Sequence, residues 1–480
     1  MTLKVYNYLT RRKEPFIPLQ EGLVNLYVCG PTVYDDAHLG HAMGYVSYDV
    51  IVRYLRYLGY RVRYVQNLTD VGHLLDTGED RVLKGAQREQ LEPMELVEKY
   101  IRSYFADMDA LGVERPNISP RASAHIPEQI ELIKTLLEKG HAYEVNGSVY
   151  FDVSSWPDYG SLSGRKVEEL LEGARVEVRD EKRSPVDFAL WKRADPEHIL
   201  RWPSPWGWGY PGWHIECSAM ARRYLGDTID IHGGGVENIF PHNEDEKAQS
   251  EAANGVPFAR YWILWGTLNV NGVKMSKSLG NFITIKDALA RYRPETLRFF
   301  ILTSHYRATV NFQDEALEAA DKGLRRLLEA VAAVRRAIPQ APDGPADEEV
   351  LTSLEEHKAQ FLASMDNDFD TGGAIGVLFN VARESNTLLH GAEAVNRATL
   401  EAIDRLYRDL GGQVLGLIPA ELKEEQGQGL VEPLLALLVQ TRQELRAARQ
   451  WALADSIRDR LAELGIALRD GPTGTTWHIS

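Results

Sequence analysis

Residues 23–67 read as strand, helix and strand in immediate succession, and no other stretch of the chain limits its possible folds as closely. LVNLYVC is a short apolar strand, and GPTVYDDAHLGH is a loop opened by Gly and Pro that runs into a helix. Val46, Val50, Ile51, Tyr54, Leu55 and Leu58 recur at helical spacing, Gly59 suits the helix end, and YRVRYVQN is the next strand. Two strands joined by a helical crossover run parallel, and a parallel sheet needs helices over its faces. The pattern predicts a Rossmann-like α/β sheet whose ligand chemistry lies beyond the C-terminal ends of its strands. Cys29 and the segment Asn67–Asp70 fall there.

The sheet pattern resumes near residue 228, where TIDIH is a strand running into Gly233-Gly234-Gly235. FPHNEDEKAQSEAANG then reads as a helix ending at Gly255. Residues from about 110 to 205 read as an insertion, with a hairpin AYEV/SVYFDV whose Asn146-Gly147 pair suits a type I′ turn. KRSPVDFALWKR and RWPSPWGWGYPGWH do not read as regular helix. From about 313 the pattern is helical, interrupted by a linker at 338–349 and a break at 418–430. Two helices, roughly 431–449 and 451–464, and a terminal hairpin follow. The expected organisation is a parallel-sheet domain over 1–312, a helical domain over 313–417 and a small mixed α/β domain over 418–480.

A chain of 480 residues, 44% hydrophobic and 26% charged, fits a soluble globular protein of about three domains. MTLKVYNYLTRRKEPF holds no apolar core of signal-peptide length, and no apolar run is long enough to span a bilayer. A cytoplasmic protein with no membrane partner is expected. The net charge of −15 argues against nonspecific coating of nucleic acid but leaves local basic patches open. A disulfide between the two cysteines, Cys29 and Cys217, is not expected in a long intracellular chain. Two inert buried thiols would be the default, and their neighbourhoods argue otherwise.

Three constellations carry chemistry. His38-Leu39-Gly40-His41 stands at a helix start, where imidazoles can donate to a phosphoryl group and Gly40 admits a nucleotide close to the backbone. Two ordinary surface histidines would look the same. Lys274-Met275-Ser276-Lys277-Ser278 places two ammonium groups in a short loop, which suits a triphosphate but equally a solvated turn. Finally, His242 and Glu246, at i and i+4, project from one helical face. With Cys29 and Cys217 they form a plausible zinc set. A helix with an acidic first turn, favoured by its dipole without any metal, is the other reading.

HLGH early in the first βαβ unit together with KMSKS late in the sheet domain resembles the paired signatures of class I aminoacyl-tRNA synthetases. CGPTVYD, HLGHA, NLTDV, GYPGWHIECSAM, DIHGGG, FPHNEDE with AQSE, and KMSKSLGNF occur in the order seen in cysteinyl-tRNA synthetases. The resemblance covers essentially the whole chain, including ADSIRDRLAELGIALRDGPTGTTW. It implies ATP-dependent activation of L-cysteine to cysteinyl-adenylate and transfer to the 3′ end of cysteine tRNA. It implies one zinc per chain, on Cys29, Cys217, His242 and Glu246, and Mg²⁺ with ATP. Gly30, Thr32, Thr69, Trp213 and His232 match residues of the family's cysteine pocket. His38, Gly40, His41 and Lys277 match its ATP-binding residues, and Lys274 assists. The C-terminal helices, with Arg442, Arg446, Arg449, Arg458 and Arg460, are expected to bind the tRNA and its anticodon.

The chain departs from the family pattern in four places. Asn243 replaces the second histidine of HHENE. Asp70-Val71-Gly72-His73-Leu74 replaces DVDDK, Leu39 the usual Ile, and Met43 an arginine. Zinc–thiolate bonding would separate cysteine from serine where shape alone discriminates only about 10–200-fold, so no editing domain is assigned to the insertion. Four protein ligands usually close a zinc site, so substrate entry requires a fifth position or a weakly held ligand, Glu246 foremost. Two rival functions stand beside this reading: an amide-forming ligase using the same adenylate with an aminosugar acceptor, which lacks the long C-terminal extension, and a non-catalytic tRNA-binding or cysteine-sensing protein built on a synthetase scaffold.

Overall fold

The computed structural model describes residues 2–72, 80–167, 169, 181–276, 279–391, 394–422, 428–471 and 474–479. They form two compact units, Met1–Ala420 and Glu421–Ser480.

The first unit is built on a four-stranded, all-parallel sheet. In chain order it comprises β1 (Leu23–Val28), α1 (Leu39–Tyr57), β2 (Arg61–Gln66), α2 (Ile215–Leu225), β3 (Ile229–Gly235), α3 (Glu244–Asn254) and β4 (Ala259–Trp265). The strands lie in the order β4-β3-β1-β2. The chain runs outward from β1 to β2 and then returns to the other side of β1, so a topological switch point falls between β1 and β3. In such sheets the crevice at the strand ends there receives the ligand.

β1 is apolar in a nearly continuous run because both its faces are covered: Val24, Leu26, Tyr27 and Val28 are all fully buried. The buried residues of α1 extend well round its circumference, including Tyr45, Tyr48 and Tyr54, so it is a core helix. Gly59, at φ 93°, takes the left-handed position after its last turn. The outer edge of β4 is covered by the N-terminal hairpin Lys4–Asn7/Arg12–Pro15, where Tyr8 N–H donates to the Trp262 carbonyl at 2.9 Å.

Two elements differ from the sequence expectation. β3 continues through Gly233-Gly234-Gly235, and at Gly233 only glycine fits. A Cβ on Gly233 would lie 2.3 Å from the Tyr48 hydroxyl. The helix expected from FPHNEDE is regular only from Glu244, since non-helical Phe240 interrupts the turn before it.

Between β2 and α2 lies a second, antiparallel five-stranded sheet, from Ala142–Val145 and Ser148–Phe151 to Gly207–Pro211. Its first hairpin turns at Asn146 (φ 52°) and Gly147 (φ 83°), the conformation Asn-Gly was expected to supply. Stretches that did not read as helix, Phe188–Arg193 and Trp202–Ser204, are strands of this sheet. Beyond β4 come helices Asp314–Ala337, Glu348–Asp366, Thr371–Leu389 and Arg397–Leu406. Arg298 joins these layers: it is buried, pairs with Asp49 of α1, and donates to the carbonyls of Leu111, Gly112 and Leu415. The second unit holds helices Gln428–Ala447 and Trp451–Glu463 and the hairpin Ile466–Gly471/Gly474–Ile479. Among the described residues no helix is long and apolar enough to cross a membrane.

Asp107, on helix Pro93–Ala110, is buried with Oδ2 lacking a hydrogen-bond partner among the described residues. Burial pushes its carboxyl up to about 6, against the pull of Lys286. The folded state therefore holds a proton that the unfolded state loses between roughly pH 4 and 6, and stability falls as pH rises through that window. Asp107→Asn is expected to stabilise the protein by about 1–2 kcal/mol at pH 8, discounted for partial solvation, and by nearly nothing at pH 4. Urea melts at both pH values check this; equal shifts would refute it.

Candidate active site

The C-terminal ends of β1 and β3 bring two sulfur atoms, an imidazole and a carboxylate into one buried cluster. Cys29 follows β1, Cys217 lies in the first turns of α2, His242 precedes α3, and Glu246 sits in its first turn. One ligand atom from each of the four lies within 4.8 Å of all the others. Cys29 Sγ is 3.4 Å from Glu246 Oε1, His242 Nε2 is 2.9 Å from that same oxygen, and Cys217 Sγ is 3.7 Å from His242 Nε2. Ligands on a tetrahedral zinc with bonds of about 2.0–2.3 Å stand roughly 3.5 Å apart. The donor set and its spacing fit such an ion.

The electrostatics fit as well. The Cys217 hydrogen bond draws the Cys29 thiol down to about 6 against the upward push of burial, while burial and the neighbouring sulfur push Cys217 up. Burial opposes charge on Glu246, yet His232 and His242 hold it well below the usual carboxylate range. Burial also opposes charge on His242, and Glu246 and Cys29 overcome it. Cys29 and Glu246 are thus the acidic members of the cluster, and a divalent cation would take the place of the protons held by Cys217 and His242.

A ring of partners fixes the cluster. His232 Nε2 reaches Glu246 Oε2 at 2.8 Å, and its ring stacks on Trp262 at 4.4 Å. His214 Nδ1 meets His242 Nδ1 at 2.8 Å, and His214 Nε2 lies 3.2 Å from Asp245. Asn243 Nδ2 donates to Glu246 Oε1 at 3.1 Å, so this departure from the family pattern is a hydrogen-bond donor to the cluster. Metal ligands need such outer contacts to fix their orientation. His214 and Asn243 were not singled out as site residues in the sequence, although both adjoin residues that were. The signal was present in GWHIEC, where His214 precedes Cys217 by nearly one helical turn.

The expected cysteine-pocket residues border this cluster. Trp213 packs on the His242 ring at 4.4 Å. Gly30 N–H donates to Asn67 Oδ1 at 2.7 Å, and Asn67 Nδ2 donates to Thr69 Oγ1 at 3.1 Å. A Cβ on Gly30 would fall 1.5 Å from the Asn67 carbonyl oxygen, so only glycine fits. Thr32 and Thr69 are bridge partners, extending the pairing of β1 with β2 past the strand ends. Thr69 Oγ1 also donates to Glu216, whose carboxyl is pushed well up by burial.

A cavity of about 550 Å³ opens at the switch point and is lined by Thr32, His38, Gly40, His41, Met275 and Ser276 among others. HLGH and the first part of KMSKS, far apart in sequence, thus share one wall. They are held together because Leu39 N–H donates to the Ile283 carbonyl at 3.1 Å and His38 bridges Thr284. His38 and His41 stack with ring centroids 3.7 Å apart. Burial and the neighbouring His38 keep His41 well below the ordinary imidazole range, so at neutral pH it is uncharged. Its Nδ1 accepts from His38 N–H at 3.3 Å, which leaves Nε2–H as the donor. Lys274 lies outside the cavity lining and pairs with Glu237, which does line it, at 2.8 Å. Asn281 Oδ1 accepts from Ser276 N–H, and its Nδ2 donates to the Lys274 carbonyl, stapling the loop. Lys277, like His73, lies outside the described residues.

Comparison with known proteins places the chain in a family. Residues 15–322 match the class I (C) tRNA synthetase catalytic domain, 360–419 the DALR domain, and 429–477 the cysteinyl-tRNA ligase anticodon binding domain. The chain is 49% identical to a cysteine–tRNA ligase of Chlorobaculum tepidum over 99% of both chains. It is 50% identical to one of Deinococcus radiodurans over 99% of this chain and 96% of that one. Among solved structures it is similar in fold to Mycobacterium tuberculosis methionyl-tRNA synthetase in complex with methionyl-adenylate. That match has a TM-score of 0.59 at 16% identity, covering 83% of this chain and 92% of that one.

Proposed function

The chain belongs to the cysteinyl-tRNA synthetase family, and from that premise we propose that it activates L-cysteine with ATP and recognises the substrate by its thiol. It is a cysteine–tRNA ligase, whose partners are ATP, L-cysteine and cysteine tRNA. The observation that carries the finer reading is that the chain leads directly from the buried Cys29–Cys217–His242–Glu246 cluster into the cavity walled by HLGH and KMSKS residues. Pro31 and Thr32, just after Cys29, line it, as does Gly235, next to the Gly234 that packs against Cys29 Sγ.

The four clustered side chains would hold zinc, which supplies a soft Lewis acid for the cysteine thiolate. Gly30, Thr32, Thr69, Trp213 and His232 surround the amino acid, His232 acting through Glu246. The carboxylate of the cysteine substrate attacks the α-phosphorus of ATP; the bond to the bridging oxygen breaks and pyrophosphate leaves with those electrons. No side chain is needed as nucleophile, so the rate comes from positioning and from stabilising charge. His41 donates through Nε2–H as a neutral imidazole, and His38 takes the neighbouring phosphate oxygen. Lys277 and, more weakly, Lys274 accompany pyrophosphate, with Mg²⁺ bound to ATP. A terminal ribose hydroxyl of the tRNA then takes the acyl group and AMP departs. Residues 313–417 and 418–480 bind the tRNA, the latter at the anticodon, and the protein works in the cytoplasm.

Cysteine-dependent exchange of pyrophosphate into ATP, with zinc assayed on the same preparation, tests this. Exchange with cysteine but not serine, and about one zinc per chain, is expected. Exchange that survives complete zinc removal would refute thiol recognition by metal.

A further inference from the structure

The described wall of the ATP cavity carries three carboxylates, Asp35, Asp36 and Glu237, and one guanidinium, Arg81. Each carboxylate has its own cation. Asp35 takes Arg88 at 3.2 Å, Asp36 takes Lys286, and Glu237 takes Lys274 at 2.8 Å. Arg81 pairs with no carboxylate among the described residues. It opens helix Arg81–Glu89, capped by Asp80, and its side chain is partly buried. Nη1 donates to the Tyr34 hydroxyl at 3.0 Å, and the guanidinium lies over the Tyr34 ring at 5.5 Å. Nε is buried and has no hydrogen-bond partner among the described residues.

A purely structural arginine would be a poor bargain here. Stacking on an aromatic ring contributes about 0.5–1 kcal/mol, whereas a buried unsatisfied donor on a charged group costs about 1–3 kcal/mol or more. An anion with two adjacent oxygens would satisfy the fork and offset that cost. The cavity must also admit a polyanion past three carboxylates, which makes a cation with no carboxylate partner among the described residues functionally valuable on its wall.

The geometry points to Arg81 as a phosphate-binding residue of this active site, holding an oxyanion of ATP or of the tRNA's terminal phosphodiester. The inference rests on the reading of this cavity as the adenylate-forming site. Arg81→Met and Arg81→Lys in the full-length, zinc-loaded protein test it, with zinc content and thermal melting as controls for folding. Two steps are measured: cysteine-dependent pyrophosphate exchange without tRNA, and single-turnover transfer from enzyme-bound cysteinyl-adenylate to tRNA. Arg81→Met is expected to slow one of them by about 10–100-fold, the scale of one charge-assisted hydrogen bond. Arg81→Lys restores part of the loss by keeping the charge without the fork. Slowed exchange identifies ATP as the source of the phosphate; normal exchange with slowed transfer identifies the tRNA end. Arg81→Met within twofold of wild type in both steps, with zinc and melting unchanged, overturns the proposal. A wild-type protein that exchanges no pyrophosphate refutes the reading of the cavity, and the Arg81 assignment falls with it.

Discussion

Replacing Cys217 by serine is expected to remove most of the bound zinc and to lower cysteine activation by more than ~100-fold. Changing a residue that merely orients a metal ligand typically costs 10–100-fold in affinity or activity, and Cys217 is proposed as a ligand itself. A neutral hydroxyl is a weak donor for a soft ion. The cluster offers no substitute: Cys217 is buried at the start of α2, and the only other cysteine, Cys29, already belongs to the set. The structural cost should be small, because serine is nearly isosteric and the neighbours of Cys217 are set by α2. Zinc content, cysteine affinity and pyrophosphate exchange measured on one preparation check this. Full zinc with unchanged activation would remove Cys217 from the ligand set. A zinc that never contacts the substrate sulfur spectroscopically would make the site structural.

Ending the chain at Ala420 should separate activation from charging. The break falls between the two compact units, so HLGH, the KMSKS loop and all four clustered donors stay in the first. Exchange of pyrophosphate is expected within a few-fold of the full-length rate, and charging of cysteine tRNA to fall by on the order of 10³-fold. The removed residues matched the anticodon binding domain over 429–477. They carry exposed Trp451 and the arginines Arg446, Arg449 and Arg458. Losing several phosphate and base contacts costs affinity steeply, and more so as salt rises. Thermal melting of the truncated protein verifies that the first unit folds. Equal charging by both proteins would refute tRNA binding by the second unit.

Much of this molecule could be read from its residues before any coordinate. The βαβ unit at 23–67, the Asn146-Gly147 hairpin and the paired C-terminal helices were legible because each is local: apolar period, turn residues and caps act within a few residues. His242 and Glu246 were legible as a pair because i, i+4 spacing on a helix fixes their facing side chains. The strand order was not legible, since which strands neighbour β1 depends on how crossovers pack rather than on any one segment. Long-range pairing likewise put Lys274 on Glu237, Arg81 on the cavity wall, Asn243 against Glu246 and His214 behind His242. The sequence alone determined the family, the two signatures and which four side chains could bind a metal. Only the tertiary structure decided that those four converge within 4.8 Å, and that HLGH and the first part of KMSKS line one cavity. Burial and charge at such a point come from segments hundreds of residues apart, and no local pattern encodes their distance.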